Sequence, residues 1–254
     1  EVRRCRLPTS GPFGIVHFGD PHLDDDACDW AALRRTIDVI AKTEGLYGGN
    51  IGDTTNNWVG RLQELYAYQS TTFHESLRLA EWFAQSVPWV YWVAGNHDAW
   101  NRGESILRLI LRGARVGVIA GTGGAKIEVA PGPGALRLWV RHDFPGGSQW
   151  NKTHGAPKAA VMDPWADLHV AGHRHTWGVQ ADEGHDRIPR TALLVRGFKR
   201  WDHYAEDKGF RQLEHGQAIT TIHDPSRPPH RRLLGVHLDP EDAAEALTFY
   251  RGRR

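Results

Sequence analysis

The sequence contains little cysteine and no long apolar segment. Its 254 residues include only Cys5 and Cys28 as cysteines, which are too few for a disulfide framework and are typical of a reducing compartment. The most continuous apolar run, Val87 to Ala94, is far shorter than the roughly 18 residues that a membrane span needs. Residues 1–14 lack the apolar core of a signal peptide. We therefore expect a soluble, cytoplasmic protein. Because the chain starts at Glu1 rather than Met, the sequence leaves open whether a further segment precedes it.

A strong net charge is also absent. Lysine and arginine total 31 against 30 aspartates and glutamates, so the formal charge of +1 gives no overall field that favours nucleic acid or an anionic membrane. Hydrophobic residues make up 40% and charged residues 24%, which is ordinary globular usage and disfavours disorder or a coiled coil. At roughly 150 residues per domain, the length favours one large domain over residues 1–254.

The first half of the chain alternates between short apolar runs and amphipathic segments. We predict strands at Phe13–Phe18, Leu46–Ile51 and Trp89–Ala94, with helices at Ala27–Lys42 and Val59–Val87 between them. This alternation is typical of βαβ units in a largely parallel sheet.

The rest of the chain is richer in predicted strand. Pro131 to Gly134 predicts a hairpin that joins the strands Lys126–Val129 and Leu136–Val140. The other predicted elements are helices at Arg102–Arg112, His154–Met162 and Pro240–Tyr250, and strands at Leu168–Ala171, Thr191–Val195, Ala218–Ile222 and Leu233–His237.

Residues that commonly bind metals follow five of the predicted strands. In chain order these are Asp20-Pro21-His22, Gly52-Asp53, Gly95-Asn96-His97-Asp98, His142 and Gly172-His173-Arg174-His175. Neutral imidazole is the commonest metal ligand, and the chain has 15 histidines. Because the carboxyl ends of neighbouring strands converge on one crevice in an open α/β sheet, we expect these groups to meet in space.

These five motifs resemble those of the calcineurin-like metallophosphoesterases, and they span about two thirds of the chain from Asp20 to His175. The resemblance implies an α/β fold, a four-layer αββα sandwich of two mixed β-sheets. It also implies a dinuclear centre. In that centre Asp20, His22 and His175 bind one divalent ion, Asn96, His142 and His173 bind the other, and Asp53 bridges both.

Chemistry supports such a ligand set independently. Two divalent ions about 3.5 to 4 Å apart can clamp the attacking and leaving oxygens of an in-line displacement and activate a shared water. Imidazole and oxygen ligands without thiolate suit manganese, iron or zinc, and we favour Mn²⁺. In the family pattern the histidine of G-N-H, here His97, protonates the leaving oxygen, which is general acid catalysis.

The chain departs from one variant of the family pattern. Phosphoprotein phosphatases carry an aspartate that orients this histidine, followed by an arginine, and this chain has Asn56 and Asn57 at those two positions. We predict that the Asn56 amide orients His97 and that an arginine for binding a monoester is missing there. Asp98, which completes the G-N-H-D motif, is grouped with His97 and Asn56 as a catalytic candidate.

Several residues near the motifs allow two interpretations. His154 is an alternative to His142 as a ligand, and we favour His142 because it ends a predicted strand. Asp24 to Asp26 could extend the metal site, but we favour the cap and first turn of the next helix. Arg196, Lys199 and Arg200 form either a solvated face or a contact to a phosphate backbone, with the former favoured. The aromatic residues near the motifs are mostly expected in the core, with one or two stacking on a base: Trp58, Trp100, Trp150 and Trp177.

The resemblance also indicates a branch of the family. Trp58–Leu62, residues 141–151 and Val195–Phe210 resemble phage- and prophage-encoded members, which implies a role in DNA processing. We therefore expect a phosphodiesterase or nuclease with DNA as its substrate. The alternatives are a phosphomonoesterase or small-nucleotide phosphodiesterase, and a non-catalytic scaffold on the same fold. The sequence leaves the oligomeric state open.

Overall fold

The computed structural model describes residues 1–8, 10–100, 105–130, 134–148, 150–151, 153–183, 188–201, 203–209 and 212–253. Their strands are β1 (Val2–Cys5), β2 (Phe13–Phe18), β3 (Leu46–Asn50), β4 (Trp89–Val93), β5 (Val116–Ala120), β6 (Ala125–Val129), β7 (Leu136–Val140), β8 (Leu168–Ala171), β9 (Gly178–Glu183), β10 (Pro189–Leu194), β11 (Ile219–His223) and β12 (Leu233–His237). Their α-helices are α1 (Trp30–Lys42), α2 (Phe73–Ser86), α3 (Asn96–Ala99), α4 (Ser105–Ile110), α5 (Gly155–Met162), α6 (His203–Asp207) and α7 (Pro240–Gly252).

The strands form two six-stranded mixed sheets. The first sheet has the order β1-β6-β7-β8-β10-β9, and the second has the order β12-β11-β2-β3-β4-β5. Strands β2 to β5 are parallel to one another, and so are β7, β8 and β10. The antiparallel pairing of β6 with β7 confirms the predicted hairpin strands, although residues 131–133 of its turn lie outside the described part.

The two sheets pack face to face, with helices on their outer faces. One buried cluster joins Ile15 and Val93 of the second sheet to Leu138 and Val170 of the first. On the outer face of the second sheet, another cluster includes residues of α1, α2 and α7, and α5 packs on β8 and β10 of the first sheet. This arrangement of helices, sheet, sheet and helices is the predicted four-layer sandwich.

Helix α1 shows how the sequence determines one outer layer. Leu33, Ile37 and Ile40 recur at helical spacing and are buried against the second sheet. Asp29 caps the helix by accepting a hydrogen bond from the backbone N–H of Ala32. The prediction that Asp24 to Asp26 form the cap and first turn is therefore wrong, because the helix begins only at Trp30.

The long helix predicted over Val59–Val87 is also incorrect. A 3₁₀ helix, Gly60–Tyr68, precedes the separate helix α2. The break occurs at Thr72, whose hydroxyl accepts from the N–H of Glu75 while the Glu75 carboxylate accepts from the N–H of Thr72. This capping box begins a new helix where the apolar pattern alone looked continuous.

The strand ends needed for a site are arranged as expected. Strands β2, β3 and β4 are parallel neighbours, so the loops that follow them leave the same edge of the second sheet. Strands β7 and β8 are likewise parallel in the first sheet. Within the described ranges, none of the helices combines the length and the apolar character needed to cross a bilayer.

Candidate metal centre

The loops after these strands adopt an unusual backbone conformation at the motif residues. Asp20, His22, Asp53, His173 and His175 have φ values of 38°, 43°, 53°, 67° and 49°. Residues other than glycine rarely adopt this left-handed conformation, and where they do the strain usually accompanies a functional site. The local backbone is therefore bent to turn these five side chains toward one place.

Two glycines allow the loops after β3 and β4 to approach each other. Gly52 has a φ of +109°, and a Cβ atom there would lie 2.2 Å from the backbone nitrogen of Gly95. A Cβ atom on Gly95 would lie 2.1 Å from Oδ1 of Asp53. The G-D and G-N-H-D motifs therefore need glycine because their backbones meet around the Asp53 carboxylate.

The first group of candidate ligands joins the end of β2 to the loop after β8. One ligand atom from each of Asp20, His22 and His175 lies within 4.8 Å of the others. Asp20 is fully buried, and its Oδ2 accepts a hydrogen bond from the N–H of His173 at 2.8 Å. Its Oδ1 is also buried but has no hydrogen-bond partner. A buried, unpaired carboxylate oxygen is costly, so this atom fits a metal ligand.

The second group lies on the other side of Asp53. Nε2 of His142 is 3.1 Å from Oδ2 of Asp53, 3.1 Å from Nδ1 of His173 and 3.0 Å from Oδ1 of Asn96. Nδ1 of His142 is 3.0 Å from the carbonyl oxygen of Ile51 and can donate to it, which turns Nε2 toward the cluster. The structure thus brings together all four ligands expected for this ion. His173 is exposed, so the cluster is accessible from solvent on this side.

The rival ligand His154 lies elsewhere. It is the N-terminal cap residue of α5, and its backbone N–H donates to the carbonyl of Asn151. Among the described residues, the Asp and His groups close enough to share an ion include His142 and not His154. The choice of His142 is consistent with this geometry.

His97 lies next to both ligand groups. Its backbone N–H donates to Oδ1 of Asp53 at 2.9 Å, and its Nε2 is 3.8 Å from Oδ2 of the same carboxylate. Nδ1 of His97 makes a short contact with the backbone carbonyl of Asn56. The rings of Trp58 and Trp100 pack on the imidazole, with centroid distances of 5.3 and 4.0 Å.

The expected role of Asn56 needs correction in one respect. Its side-chain amide does not contact His97, because Oδ1 instead accepts a hydrogen bond from Nδ1 of His22 at 2.8 Å. Asn56 positions His97 through its backbone carbonyl. The side chain of Asn56 thus contacts the candidate ligand His22, and its main chain contacts the candidate acid His97.

The carboxylate of Asp98, the third catalytic candidate, is hydrogen-bonded to the main chain. It accepts from the backbone N–H groups of Gly95 and Asp53, both at 2.8 Å, and of Thr54 at 3.1 Å. These bonds use both of its oxygens to tie the loop after β3 to the loop after β4. Asp98 therefore fixes the position of Asp53.

The electrostatics favour neutral imidazoles at most of the candidate ligands. Burial, followed by the nearby Lys199 ammonium, lowers the pKa of His175 to about 4 and that of His22 well below its usual value. Burial followed by the proximity of His142 lowers the pKa of His173. Histidine must be deprotonated to bind a metal, so these shifts prepare the ligands at neutral pH.

The pKa values of Asp20, Asp53 and His142 reflect the charges that these three buried groups exert on one another. Burial, only partly offset by His142, raises the pKa of Asp20 to about 7. Burial would raise the pKa of Asp53, but the neighbouring His142 and His97 outweigh it and lower that pKa. Burial also opposes protonation of His142, yet the Asp53 and Asp20 carboxylates raise its pKa to about 10. Two buried carboxylates thus draw positive charge into the centre, and the residues fit divalent cations.

The basic cluster and the tryptophans differ in part from expectation. Lys199 is buried and lies 3.0 Å from Oδ2 of Asp25, so its assignment to a solvated face is wrong. Asp24 and Asp25 are also buried. The Asp24 carboxylate accepts from the backbone N–H of Asn56, and the Asp25 carboxylate accepts from its side-chain amide.

Trp150 is 95% exposed and Trp177 is 41% exposed, whereas Trp58 is buried.

Three comparisons describe what the chain resembles. No protein-family model and no curated protein sequence matches it. A Staphylococcus aureus structure provisionally named a 5'-nucleotidase matches with a TM-score of 0.51 and 11% identity, covering 94% of this chain and 58% of that one. A 5'-nucleotidase precursor from Thermus thermophilus matches with a TM-score of 0.48 and 12% identity, covering 94% and 58%. The calcineurin-like phosphoesterase YfkN from Bacillus subtilis matches with a TM-score of 0.46 and 11% identity, covering 96% and 100%.

These similarities concern the fold. This chain spans 58% of the length of the two nucleotidase chains. At 11% identity a TM-score of 0.51 indicates a shared fold and carries no information about activity, and scores below 0.5 add nothing to it. The two mixed six-stranded sheets with flanking helices confirm the fold predicted from the motifs, and the Staphylococcus aureus structure shares that fold.

Proposed function

We propose that the protein is a dinuclear metal-dependent phosphoester hydrolase, and more specifically a phosphodiesterase that acts on DNA. The observation that carries the proposal is the position of Asp53, which groups with His142 and His173 on one side and with His22 and His97 on the other. His22 in turn groups with Asp20 and His175. Such a shared carboxylate, with the buried Oδ1 of Asp20 left without a hydrogen bond beside it, fits two adjacent divalent ions.

Each ion has its own set of protein ligands in this proposal. Asp20, His22 and His175 would hold one, Asn96, His142 and His173 would hold the other, and Asp53 would contribute to both. The donors are nitrogen and oxygen atoms, which suits Mn²⁺, Fe or Zn²⁺, and we propose Mn²⁺. When bound, the two ions would polarise the phosphoryl group and lower the pKa of a water molecule.

His97 supplies the proton to the leaving oxygen. The contact from Nδ1 to the Asn56 carbonyl holds a proton on Nδ1, which leaves Nε2 as the nitrogen that exchanges a proton with substrate. Burial, partly offset by Asp53, lowers the pKa of His97. The protonated His97 side chain is then a stronger acid, although a smaller fraction of His97 is protonated at neutral pH.

The preference for a diester rests on the residues beside His97. Asn57 occupies the position where an arginine would bind a monoester dianion, and its amide donates to the carbonyl of His97 at 2.7 Å. That amide is therefore engaged with the main chain. The exposed rings of Trp150 and Trp177 could stack on bases, which supports a nucleic acid as the substrate. The resemblance of three sequence segments to phage-encoded family members supports DNA in particular.

One observation favours a second candidate, a phosphomonoesterase or small-nucleotide phosphodiesterase. Arg174 lies between two candidate ligands in sequence, its side chain is 48% exposed, and its Nη2 is 3.5 Å from the Asp143 carboxylate. Both residues line a small depression together with Phe144, Thr153 and Ala156. A guanidinium there could clamp the extra charge of a small phosphomonoester.

The decisive experiment is an activity panel on the Mn²⁺-loaded protein. We expect hydrolysis of bis-p-nitrophenyl phosphate and of labelled DNA, with Asp53→Asn as the inactive control. Cleavage of p-nitrophenyl phosphate alone would favour the second candidate. No hydrolysis of any phosphoester by a protein that holds two ions would overturn the proposal and favour a scaffold.

A further inference from the structure

A buried ion pair between Lys199 and Asp25 lies behind the candidate metal centre. Nζ of Lys199 is 3.0 Å from Oδ2 of Asp25, and both side chains are largely excluded from solvent. The Lys199 backbone is fixed to the same segment, since it forms an isolated β-bridge with Cys28. Removing two charges from water is expensive, and a well-packed apolar pair is often at least as stable. Stability alone therefore gives little reason for the pair.

The pair encloses the side-chain amide of Asn56. Oδ1 of Asn56 is 3.4 Å from Nζ of Lys199, while its Nδ2 donates to Oδ2 of Asp25 at 2.9 Å. Nδ2 also donates to Oε1 of Gln69 at 2.9 Å. A flipped amide would place its NH₂ group against the ammonium and its oxygen against the carboxylate. The ion pair thus permits only one orientation of the amide.

This orientation determines which nitrogen of His22 carries a proton. Oδ1 of Asn56 is an acceptor only, so Nδ1 of His22, 2.8 Å away, must be the donor. Nε2 then keeps its lone pair for the cluster with Asp20 and His175. A flipped amide would instead donate to Nδ1 and favour the tautomer with the proton on Nε2. In that tautomer Nε2 has no free lone pair and cannot bind a cation.

We infer that Lys199 and Asp25 are positioning residues that lock the Asn56 amide and thereby hold His22 in its metal-binding tautomer. The inference rests on the metal centre of the proposed function but not on its substrate. Lys199 also lies 4.9 Å from the centroid of the Trp58 ring, which packs on His97. The same ammonium therefore supports the face of the site where the candidate acid lies.

The first test needs no substitution in the network. In the metal-free protein with ¹⁵N-labelled histidine, long-range NMR correlations report which ring nitrogen carries the proton, and the His22 signals are assigned by their loss in His22→Gln. We expect a single neutral tautomer with the proton on Nδ1. A mixture of tautomers, or a proton on Nε2, would overturn the inference.

The second test measures Mn²⁺ binding by equilibrium dialysis. Changes behind a metal ligand typically cost about 10- to 100-fold in metal affinity, and we expect Lys199→Met to weaken one of the two ions by this amount while Lys199→Arg restores most of it. The matched control is Lys126→Met, because Lys126 also pairs with a carboxylate, that of Asp163, and lies 4.9 Å from a tryptophan ring centroid. That control should leave both affinities unchanged.

A third variant separates positioning from folding. Asp25→Asn/Lys199→Met removes both charges together and avoids leaving a buried carboxylate unpaired. If it folds and binds Mn²⁺ within twofold of the wild type, the inference is wrong. If Lys199→Met and the double variant both fail to fold while Lys199→Arg folds, the pair is a structural element and the inference is also wrong. None of these measurements uses hydrolysis, so an inactive protein that binds two ions would contradict only the proposed function.

Discussion

Oδ2 of Asp53 lies 3.1 Å from Nε2 of His142, although Asp53 follows strand β3 of the second sheet and His142 follows strand β7 of the first. The candidate centre is therefore assembled from both sheets of the sandwich. Its geometry depends on how the sheets pack, since each sheet alone supplies only part of the ligands. Asp53 occupies the junction, because its Oδ1 also accepts the backbone N–H of His97.

The first prediction follows from this junction. Asp53→Asn should abolish turnover and lower the metal content to one ion or fewer per chain, because an amide cannot bridge two cations as a carboxylate does. Elemental analysis of the Mn²⁺-reconstituted protein measures the content, with Asp163→Asn as a control in a half-buried ion pair. Full activity with two bound ions in Asp53→Asn would show that the site is wrongly assigned.

The second prediction distinguishes the two candidate histidines. His142→Ala should lose one ion per chain, because Nε2 of His142 lies within 3.1 Å of Asn96, His173 and Asp53 atoms. His154→Ala should retain both ions, since His154 only begins helix α5. Metal counts on the two variants under identical conditions decide the matter, and loss of an ion only in His154→Ala would reverse the assignment.

The sequence predicted the candidate ligands better than the groups behind them. Asp20, Asp53 and His173 could be placed because each follows a short apolar run, and parallel strands bring their carboxyl ends together. Lys199 and Asp25 meet through two irregular segments with no periodic pattern. Only the three-dimensional arrangement of those segments shows that this lysine is buried.

The strands that the sequence did not predict share one property. Strands β1, β5 and β9 are each at an edge of a sheet. An edge strand is covered on fewer sides, so its sequence need not be continuously apolar, and β9 alternates briefly before it becomes fully exposed. Central strands such as β4, with five buried residues in a row, were predicted to within one residue.

The third prediction concerns acid stability and a buried cluster away from the centre. His17 forms hydrogen bonds with Tyr91 at 2.6 Å and with Thr221 at 2.9 Å, and Thr221 also bonds His223. Burial, followed by the proximity of His223, lowers the pKa of His17 to about 3, and burial lowers that of His223 to about 3. Each histidine thus stays neutral in the folded protein while the unfolded chain gains a proton below about pH 6.5.

The free energy of unfolding should therefore fall as the pH drops from 6.5 toward 3. Between pH 7 and 5 the loss is about 2 kcal/mol for each such histidine. In urea denaturation of the metal-free protein, His17→Gln should reduce this loss by about that amount, because glutamine can keep both hydrogen bonds without titrating. His74→Gln, at an exposed position, is the control. An equal loss in His17→Gln and wild type would contradict the prediction.

The fourth prediction tests His97 as the general acid. His97→Ala should lower the rate by about 10²- to 10⁴-fold on diesters with poor leaving groups, the range for a positioned acid. On p-nitrophenyl esters, whose leaving group needs little protonation, the same change should cost much less. Rates across a series of leaving groups, with metal content verified in each sample, provide the measurement. Equal damage across the series would assign His97 a different role.

The fifth prediction separates the diesterase from the monoesterase. A diester leaves one negative charge on the phosphoryl group, whereas a monoester dianion needs additional cationic clamping that Asn57 does not supply. We expect a higher kcat/KM for bis-p-nitrophenyl phosphate than for p-nitrophenyl phosphate with Mn²⁺.

Arg174, an exposed arginine between two candidate ligands in sequence, tests how far that preference depends on charge. Arg174→Met should lower kcat/KM for the monoester more than for the diester, because the dianion gains more from the guanidinium that lies 3.5 Å from Asp143. Arg4→Met is the matched control, since Arg4 is an exposed arginine 3.1 Å from the Glu128 carboxylate on strand β6. A strong monoester preference that disappears in Arg174→Met and persists in Arg4→Met would instead assign Arg174 as the phosphate clamp and favour the phosphomonoesterase.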